Sequence, residues 1–307
     1  MGLQKNRFLT RIFLKHEWQL YLFILPTVIF FLIFHYAPMY GILIAFKRYN
    51  IARGIMESPW VGLFYFRRFF SSNMFWELMG NTLILSFYQL LVSFPFPLIL
   101  ALMLNHSRRG NMNKLVQTIT YAPHFISLVV LSGMLYLFTS PSTGVINYVL
   151  NKIGHESINF MGKPEWFRHL FVFSHVWQHT GYQAIIFLAA LTSIDPTHYE
   201  AATLDGASKL QKIWYIDLPS IMPTVITLLL LQVGRMMNMD TQKALLMQTA
   251  TNLGTSEIIG TYVYKIGLID AQFSYSTAVN LFQTLVNLII LIGVNKLSSW
   301  LSEESLW

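Results

Sequence analysis

His175 and His179 stand four residues apart in His175-Val176-Trp177-Gln178-His179, a spacing that could present two imidazoles to one metal. A zinc hydrolase of the His-Glu-x-x-His type needs a glutamate directly after the first histidine, and that position is Val176. The chain has no cysteine, which removes disulfides, iron–sulfur clusters, thiolate catalysis and cysteine zinc sites together. Packed or interfacial histidines are therefore the better reading of the pair. No Ser/His/Asp set or carboxylate pair occurs at workable spacing, and there is no GxxxxGK[ST] phosphate loop. The chain itself is not expected to be an enzyme, to bind ATP or to hold a cofactor or metal. What remains are amides, phenols and indoles in apolar surroundings: Tyr88 and Gln89; Trp177, Gln178, Tyr182 and Gln183; Gln232 and Asn238; Asn280, Gln283 and Asn287. The last three recur at i, i+3 and i+7 and so share one helical face. Such groups either hydrogen-bond neighbouring helices together or line a polar path between them.

The elements that carry these groups follow from composition. Of 307 residues, 54% are AVILMFWYC and only 11% are charged, with mean hydropathy +0.48. A soluble domain carries about 25% charged residues. An ordinary water-facing surface is excluded, as are disorder and a nucleic-acid-binding tail, so no nucleic-acid partner is expected. The excess of 21 Lys+Arg over 14 Asp+Glu answers anionic lipid headgroups. This composition describes an integral membrane protein.

Runs free of Lys, Arg, Asp and Glu cover residues 18–46, 78–107, 115–151, 169–194, 218–234 and 271–295. A helix needs ~20 apolar residues to cross the hydrocarbon core, so these runs predict six transmembrane helices. The third run holds one helix and a loop; the fifth reaches full length from Leu218-Pro219 past Arg235 toward Met239. Continuous rather than alternating hydrophobicity makes the spans helical, because backbone groups in lipid are satisfied within their own segment. Pro26, Pro95 and Pro97 predict kinks in the first two spans. The basic stretch Lys5-Asn6-Arg7-Phe8-Leu9-Thr10-Arg11 resembles a signal n-region, but no small-x-small cleavage site follows Phe34-His35-Tyr36. The first span reads as uncleaved, which divides the chain into a basic tail 1–17, a membrane domain 18–300 and a short tail 301–307. An arginine at the bilayer centre would cost ~2.5–3.5 kcal/mol, so Arg235 and Asp240 are expected to reach water or pair locally near the end of span five. The distribution of Lys and Arg does not by itself orient the bundle.

Between spans four and five lies Asp195-Pro196-Thr197-His198-Tyr199-Glu200-Ala201-Ala202-Thr203-Leu204-Asp205-Gly206, followed by a segment ending in Ile216-Asp217-Leu218-Pro219. Asp195 is a good N-cap and Pro196 a good first helical residue, so a short helix begins there. Gly206 can adopt the left-handed conformation that ends it. A second short amphipathic segment then leads to Leu218-Pro219, which opens span five.

Glu200-Ala201-Ala202, three residues, Gly206, nine residues and Ile216-x-Leu218-Pro219 resemble the EAA loop of ABC-importer permease subunits at every defining position. The resemblance implies an all-α membrane protein of the type I ABC-importer permease (MetI-like) fold, with six spans and both termini cytoplasmic. It also implies that loop 195–219 is the cytoplasmic coupling element seated in an ATP-hydrolysing subunit. Glu200 would be its polar anchor, Ala201 and Ala202 its close-contact face, Gly206 its turn and Leu218-Pro219 its junction with span five. Asp217 is an acidic departure within the last element, with consequences expected for the fit to the ATPase.

Trp60-Val61-Gly62-Leu63, Phe66-Arg67-Arg68-Phe69, Asn81-Thr82, Leu100-Ala101-Leu102-Met103-Leu104-Asn105, Asp205-Gly206-Ala207 and Glu304-Ser305-Leu306-Trp307 are similar to the carbohydrate-uptake branch, the MalG/LplB-like binding-protein-dependent group. That branch implies import of a sugar, and of an oligosaccharide in particular, by alternating access in a bacterial cell membrane. It further implies a second homologous permease, two cytoplasmic ATPases that bind ATP and Mg, and an extracellular sugar-binding lipoprotein. The amides and aromatics above would then be substrate-path candidates, and segment 238–277 either a probe of the binding protein or a cap on the bundle. The alternatives are a permease for a non-sugar solute and an intramembrane enzyme acting on lipid or glycan.

Overall fold

The computed structural model describes residues 18–107 and 110–302; the basic segment 1–17, Arg108, Arg109 and the ending Glu304-Ser305-Leu306-Trp307 lie outside the described residues. Among the described residues the regular elements are helices, with only isolated bridges at Lys47–Trp60 and Asn50–Gly54. Those of seven or more residues are, in chain order, α1 (Gln19–Phe46), α2 (Phe64–Phe70), α3 (Met74–Asn105), α4 (Gly110–Tyr121), α5 (Leu128–Thr139) and α6 (Val145–Lys152). There follow α7 (Pro164–Thr192), α8 (Pro196–Leu204), α9 (Lys209–Val233), α10 (Thr241–Met247), α11 (Ile259–Ile269) and α12 (Phe273–Ser302).

Four of these, α1, α3, α9 and α12, are long and apolar enough to cross a membrane, and the bent pair α4–α5 makes a fifth span if counted as one. The fourth predicted run falls in α7, a 29-residue helix whose early turns carry Glu165, Arg168 and His169. It is long enough to span but more polar than the others.

Prolines explain most of the irregularity. In α1 a wide turn at Leu32–Tyr36 closes with Ala37 N–H on Leu32 O, two residues before Pro38. In α9 an equivalent wide turn at Ile213–Asp217 closes with Leu218 N–H on Ile213 O, two residues before Pro219. A proline cannot donate to the preceding turn, and the ladder widens where that bond is lost. The α3 helix is interrupted at Phe94, with Pro95 starting its second half.

Two expectations need correction. The run 115–151 is not one helix and a loop: α4 and α5 meet at 101° around Pro123, and α6 follows. Ser127 caps the new helix by accepting from Val130 N–H at 3.3 Å, and Gln178 of α7 donates to the freed Ile126 carbonyl at 2.8 Å. These partners let the chain turn sharply without leaving backbone groups unmet. Span five likewise does not open at Leu218 or run toward Met239. It starts at Lys209 and stops at Val233, with Gly234 N–H closing on Leu230 O, so the missing length lies at its N-terminal end.

The α7 helix is the centre of the bundle. Its C-terminal half packs Ala184, Phe187 and Leu191 against Ala101 and Leu102 of α3 and Ile221 of α9. Its N-terminal half packs Phe167, Phe171 and Val172 against Leu85 of α3 and Ala244 and Met247 of α10. Between lipid-solvated helices close packing replaces the hydrophobic effect as the driving force, which favours small residues at contacts. Gly181 shows this: a Cβ there would lie 2.1 Å from the Thr120 carbonyl oxygen of α4. By contrast, residues 19–40 of α1 are exposed throughout.

Candidate functional site

The loop after α7 is built as its sequence implies. Asp195 accepts from Thr197 N–H at 2.9 Å, which holds its carboxyl below the usual range, and Pro196 opens α8. At the far end Ala207 N–H reaches Ala202 O at 2.8 Å and Gly206 N–H reaches Thr203 O at 3.1 Å, with Gly206 at φ +74°. This double closure needs a left-handed residue, which glycine supplies without a Cβ penalty. Ser208 and Gln211 then form a reciprocal capping box that starts α9 within the loop, and Lys212 Nζ donates back to Thr203 Oγ1 at 2.6 Å. Two helices joined by a glycine turn thus make one elbow.

A buried joint anchors that elbow. Asp217, fully buried, accepts from the Tyr199 hydroxyl of α8 at 2.5 Å and lies 2.5 Å from Nε2 of His106, just past the end of α3. Asn105 donates to the same tyrosine oxygen at 3.4 Å. Burial and the bond to Asp217 push the Tyr199 hydroxyl up to about 12, so it remains a donor at neutral pH. Asp217, the acidic departure in the sequence pattern, points into the protein and ties three elements together. The signal was present: a carboxylate two residues before Pro219 sits on the wide turn, and Tyr199 lies one position before Glu200.

The other side of the elbow is exposed. Glu200 is exposed and makes no hydrogen bond or ion pair among the described residues. Ala201, Asp205 and Gly206 are exposed and Ala202 half-buried. Leu204 is 89% exposed, a large apolar side chain beside the candidate contact face that sequence reasoning did not single out. Ile216 and Leu218 are half-buried on the inward-facing start of α9, with Pro219 exposed beside them.

The second feature is a half-open cavity of about 470 Å³ lined by α3, α7, α9 and the turn after α9. Four of the path candidates line it: Gln89, Gln183, Gln232 and Asn238. Ser86, His175, Arg235 and Asp240 line it too and were not among those candidates. Ser86 Oγ and Gln89 Oε1 are buried without a hydrogen-bond partner among the described residues. Buried polar atoms are nearly always paired, so these two leave open hydrogen-bonding capacity on the cavity wall. Gln232 Nε2 donates to Ser93 Oγ at 3.2 Å, which fixes the α9 wall against α3.

The other candidates lie elsewhere. Tyr88 bonds His169 Nδ1 at 2.8 Å, and Trp177 is about half exposed on the outside of α7. Gln178 and Tyr182 hold the α4–α5 bend, the latter stacked on His124 with ring centroids 3.8 Å apart. His179 meets His124 at 3.1 Å between Nδ1 atoms, so of the original histidine pair only His175 reaches the cavity. On α12, Asn280 is exposed, while Gln283 donates to Met237 O and Asn287 donates to Gly234 O at 2.6 Å and accepts from Met237 N–H at 3.2 Å. Gln283 and Asn287 clamp the turn after α9 rather than face the cavity.

Segment 238–270 folds over one end of α7. Asn81 of α3 donates to the carbonyls of Gly254 and Glu257 and accepts from Arg168, and Lys265 pairs with Glu257 at 2.6 Å. Asn252 adds bonds to Met161 O and Met247 O.

Comparison with known proteins agrees with this architecture. Residues 79–303 match the family described as "Binding-protein-dependent transport system inner membrane component". Protein LplB of Bacillus subtilis (strain 168) is 41% identical over 294 residues, covering 96% of this chain and 92% of that protein. The polygalacturonan/rhamnogalacturonan transport system permease protein YteP of the same organism is 43% identical, covering 94% and 90%. A chain from the crystal structure of a bacterial ABC transporter involved in the import of the acidic polysaccharide alginate superposes with a TM-score of 0.87 at 40% identity, covering 94% of this chain and 98% of that one. With its helical order, its elbow loop and a match over most of its length, this chain belongs to the family of binding-protein-dependent transport system inner membrane components, the permease subunits of ABC importers.

Proposed function

We propose that this permease carries an oligosaccharide through the cavity between α3, α7 and α9, driven by ATP hydrolysis in separate subunits that grip the α8 elbow. Its assembly is a pair of homologous permeases in the cell membrane, two cytoplasmic ATPases and an extracellular binding protein. The elbow and both termini then lie on the cytoplasmic side. The single observation that supports the cargo reading most is the cavity wall itself: amides of Gln89, Gln183, Gln232 and Asn238, with Ser86 Oγ and Gln89 Oε1 left unpaired. Hydroxyl-rich ligands are held by such neutral donors and acceptors. Two relatives are named for polygalacturonan/rhamnogalacturonan and for the acidic polysaccharide alginate, which makes a uronate-bearing oligosaccharide the favoured cargo.

At the elbow, exposed Glu200 and Leu204 supply a polar anchor and an apolar plug for the ATPase, while Tyr199 faces inward to Asp217. Alternating access is a two-state equilibrium, and ATP biases it only through contacts that differ between states. The test is reconstitution with partner subunits in proteoliposomes, with ATP hydrolysis and uptake measured over a panel of oligosaccharides. Stimulation by an oligosaccharide, lost in Glu200→Ala while the complex stays assembled, is the expected result. Wild-type uptake in Glu200→Ala and in Leu204→Asp would refute drive through the elbow.

A further inference from the structure

We infer that Arg235 is the group in the cavity that holds a carboxylate of the cargo, so that the permease itself, and not only its binding protein, selects acidic sugars. This deepens the cargo reading above and rests on it.

Arg235 lines the cavity from the turn that follows α9. Its guanidinium makes no hydrogen bond or ion pair among the described residues. Asp240, the acid on the same wall, accepts from Lys243 N–H through Oδ1 at 3.1 Å and forms no ion pair with Arg235 or with Lys243 among the described residues. Lys243 Nζ in turn is spent on the Phe171 carbonyl at 2.8 Å. Arg235 is thus an exposed cationic group on the wall with no ion-pair partner among the described residues.

Its backbone is held in place. Asn287 bonds both Gly234 O and Met237 N–H, and Gln283 bonds Met237 O, so α12 pins the turn on either side of Arg235. The pinned turn fixes where the guanidinium can reach, and the side chain itself is ordered when the ligand arrives. A guanidinium fork matches a carboxylate bidentately, whereas a neutral sugar would leave it unpaired. The same cavity offers Ser86 Oγ, 2% exposed and unpartnered, and Gln89 Oε1 for hydroxyls. One uronate ring carries both kinds of group: a carboxylate for Arg235 and hydroxyls for Ser86 and Gln89.

The experiment uses the complete importer with its binding protein in proteoliposomes. Uptake of a galacturonate trisaccharide is compared with that of its methyl ester, in wild type, Arg235→Gln and Arg235→Lys. Selection by the binding protein is common to all three and cancels when the acid-to-ester ratios of kcat/KM are compared. Loss of one charged bidentate contact should lower that ratio roughly tenfold in Arg235→Gln, with a smaller fall in Arg235→Lys. If wild type shows no preference for the acid, the acidic-cargo reading fails and Arg235 with it. If wild type prefers the acid and both variants keep the full preference, acidic cargo stands and the assignment to Arg235 is overturned. An equal fall for acid and ester also overturns it, since that is what a pairing of Arg235 with an acid of the partner permease would give. Should Arg235→Gln fail to assemble, the lysine variant decides, and an unchanged ratio there counts against the assignment.

Discussion

Removing the Tyr199 hydroxyl should loosen the elbow without unfolding the bundle. Tyr199→Phe deletes one atom, the donor 2.5 Å from Asp217 Oδ1, and leaves the ring and the His106 contact in place. A hydrogen bond to a charged group contributes about 1.5–3 kcal/mol net. Tyr199 is only half-buried, so the lower part of that range, about 1.5–2 kcal/mol, applies. At 1.36 kcal/mol per tenfold, opening of α8 becomes roughly 10- to 30-fold more frequent. Amide hydrogen exchange reads this directly when reclosing outpaces exchange, because protection then follows the opening equilibrium. The assay is exchange followed by mass spectrometry on the assembled importer in lipid nanodiscs, comparing peptides from residues 196–207 with those of α7. In Asp217→Asn the acceptor stays but its charge goes, and a neutral bond is about half as strong, so a rise of roughly 3- to 5-fold is expected there. ATP consumed per sugar imported should rise in the same order. Protection in 196–207 that changes less than twofold in Tyr199→Phe, or that falls equally in α7, would refute the joint as a local fastening.

Other outcomes follow from the packing. Gly181→Ala places a Cβ against the Thr120 carbonyl and should cost about 1–3 kcal/mol as overpacking, seen as a lower melting temperature of the purified complex. Gln178→Leu removes the donor to Ile126 O at the α4–α5 bend and leaves that carbonyl unmet, at about 1–3 kcal/mol, with faster exchange confined to residues 122–130. Gly206→Ala forces a side chain into φ +74° and should cost about 1–2 kcal/mol, read as lost protection at the end of α8 with little change in the spans.

How far each part was legible depends on whether its cause is local. The α8 helix was readable to the residue because Asp195, Pro196 and Gly206 act through bonds within a few positions of themselves. The break at Pro95 was readable for the same reason. The bend at Ile126 was not, since an uncharged run gives no sign that Gln178, 52 residues on, will satisfy the freed carbonyl. The end of α9 was missed because Leu-Leu-Leu-Leu-Gln-Val-Gly-Arg continues the apolar pattern, while the turn is set by Asn287 and Gln283 of α12. That also explains the helical face of Asn280, Gln283 and Asn287. Periodicity put the three on one side, but only the tertiary fold decides whether that side meets a path or a neighbouring turn. Gln89, Gln183, Gln232 and Asn238 come together from three helices and a turn, a convergence no local pattern encodes.

The elbow and the cavity are mechanically one object. The α9 helix begins inside the elbow at Ser208's capping box and continues through the wide turn at Ile213–Asp217 for 25 residues, some 37 Å at 1.5 Å per residue, past the cavity wall at Gln232. The α3 helix carries Ser86 and Gln89 on the opposite wall, and its end is fastened to the elbow by His106 on Asp217 and Asn105 on Tyr199. The α7 helix carries His175 and Gln183 and runs into the elbow through Asp195. All three helices that line the cavity are therefore gripped at one end by the same small loop. On the proposed drive, a force on that loop would act on three helices at their shared base, and packed interfaces between helices switch rather than deform. The soft points are the interruption of α3 at Phe94 and the turn after α9, both bordering the cavity. On that proposal, motion applied at the elbow would be taken up there, beside the cargo.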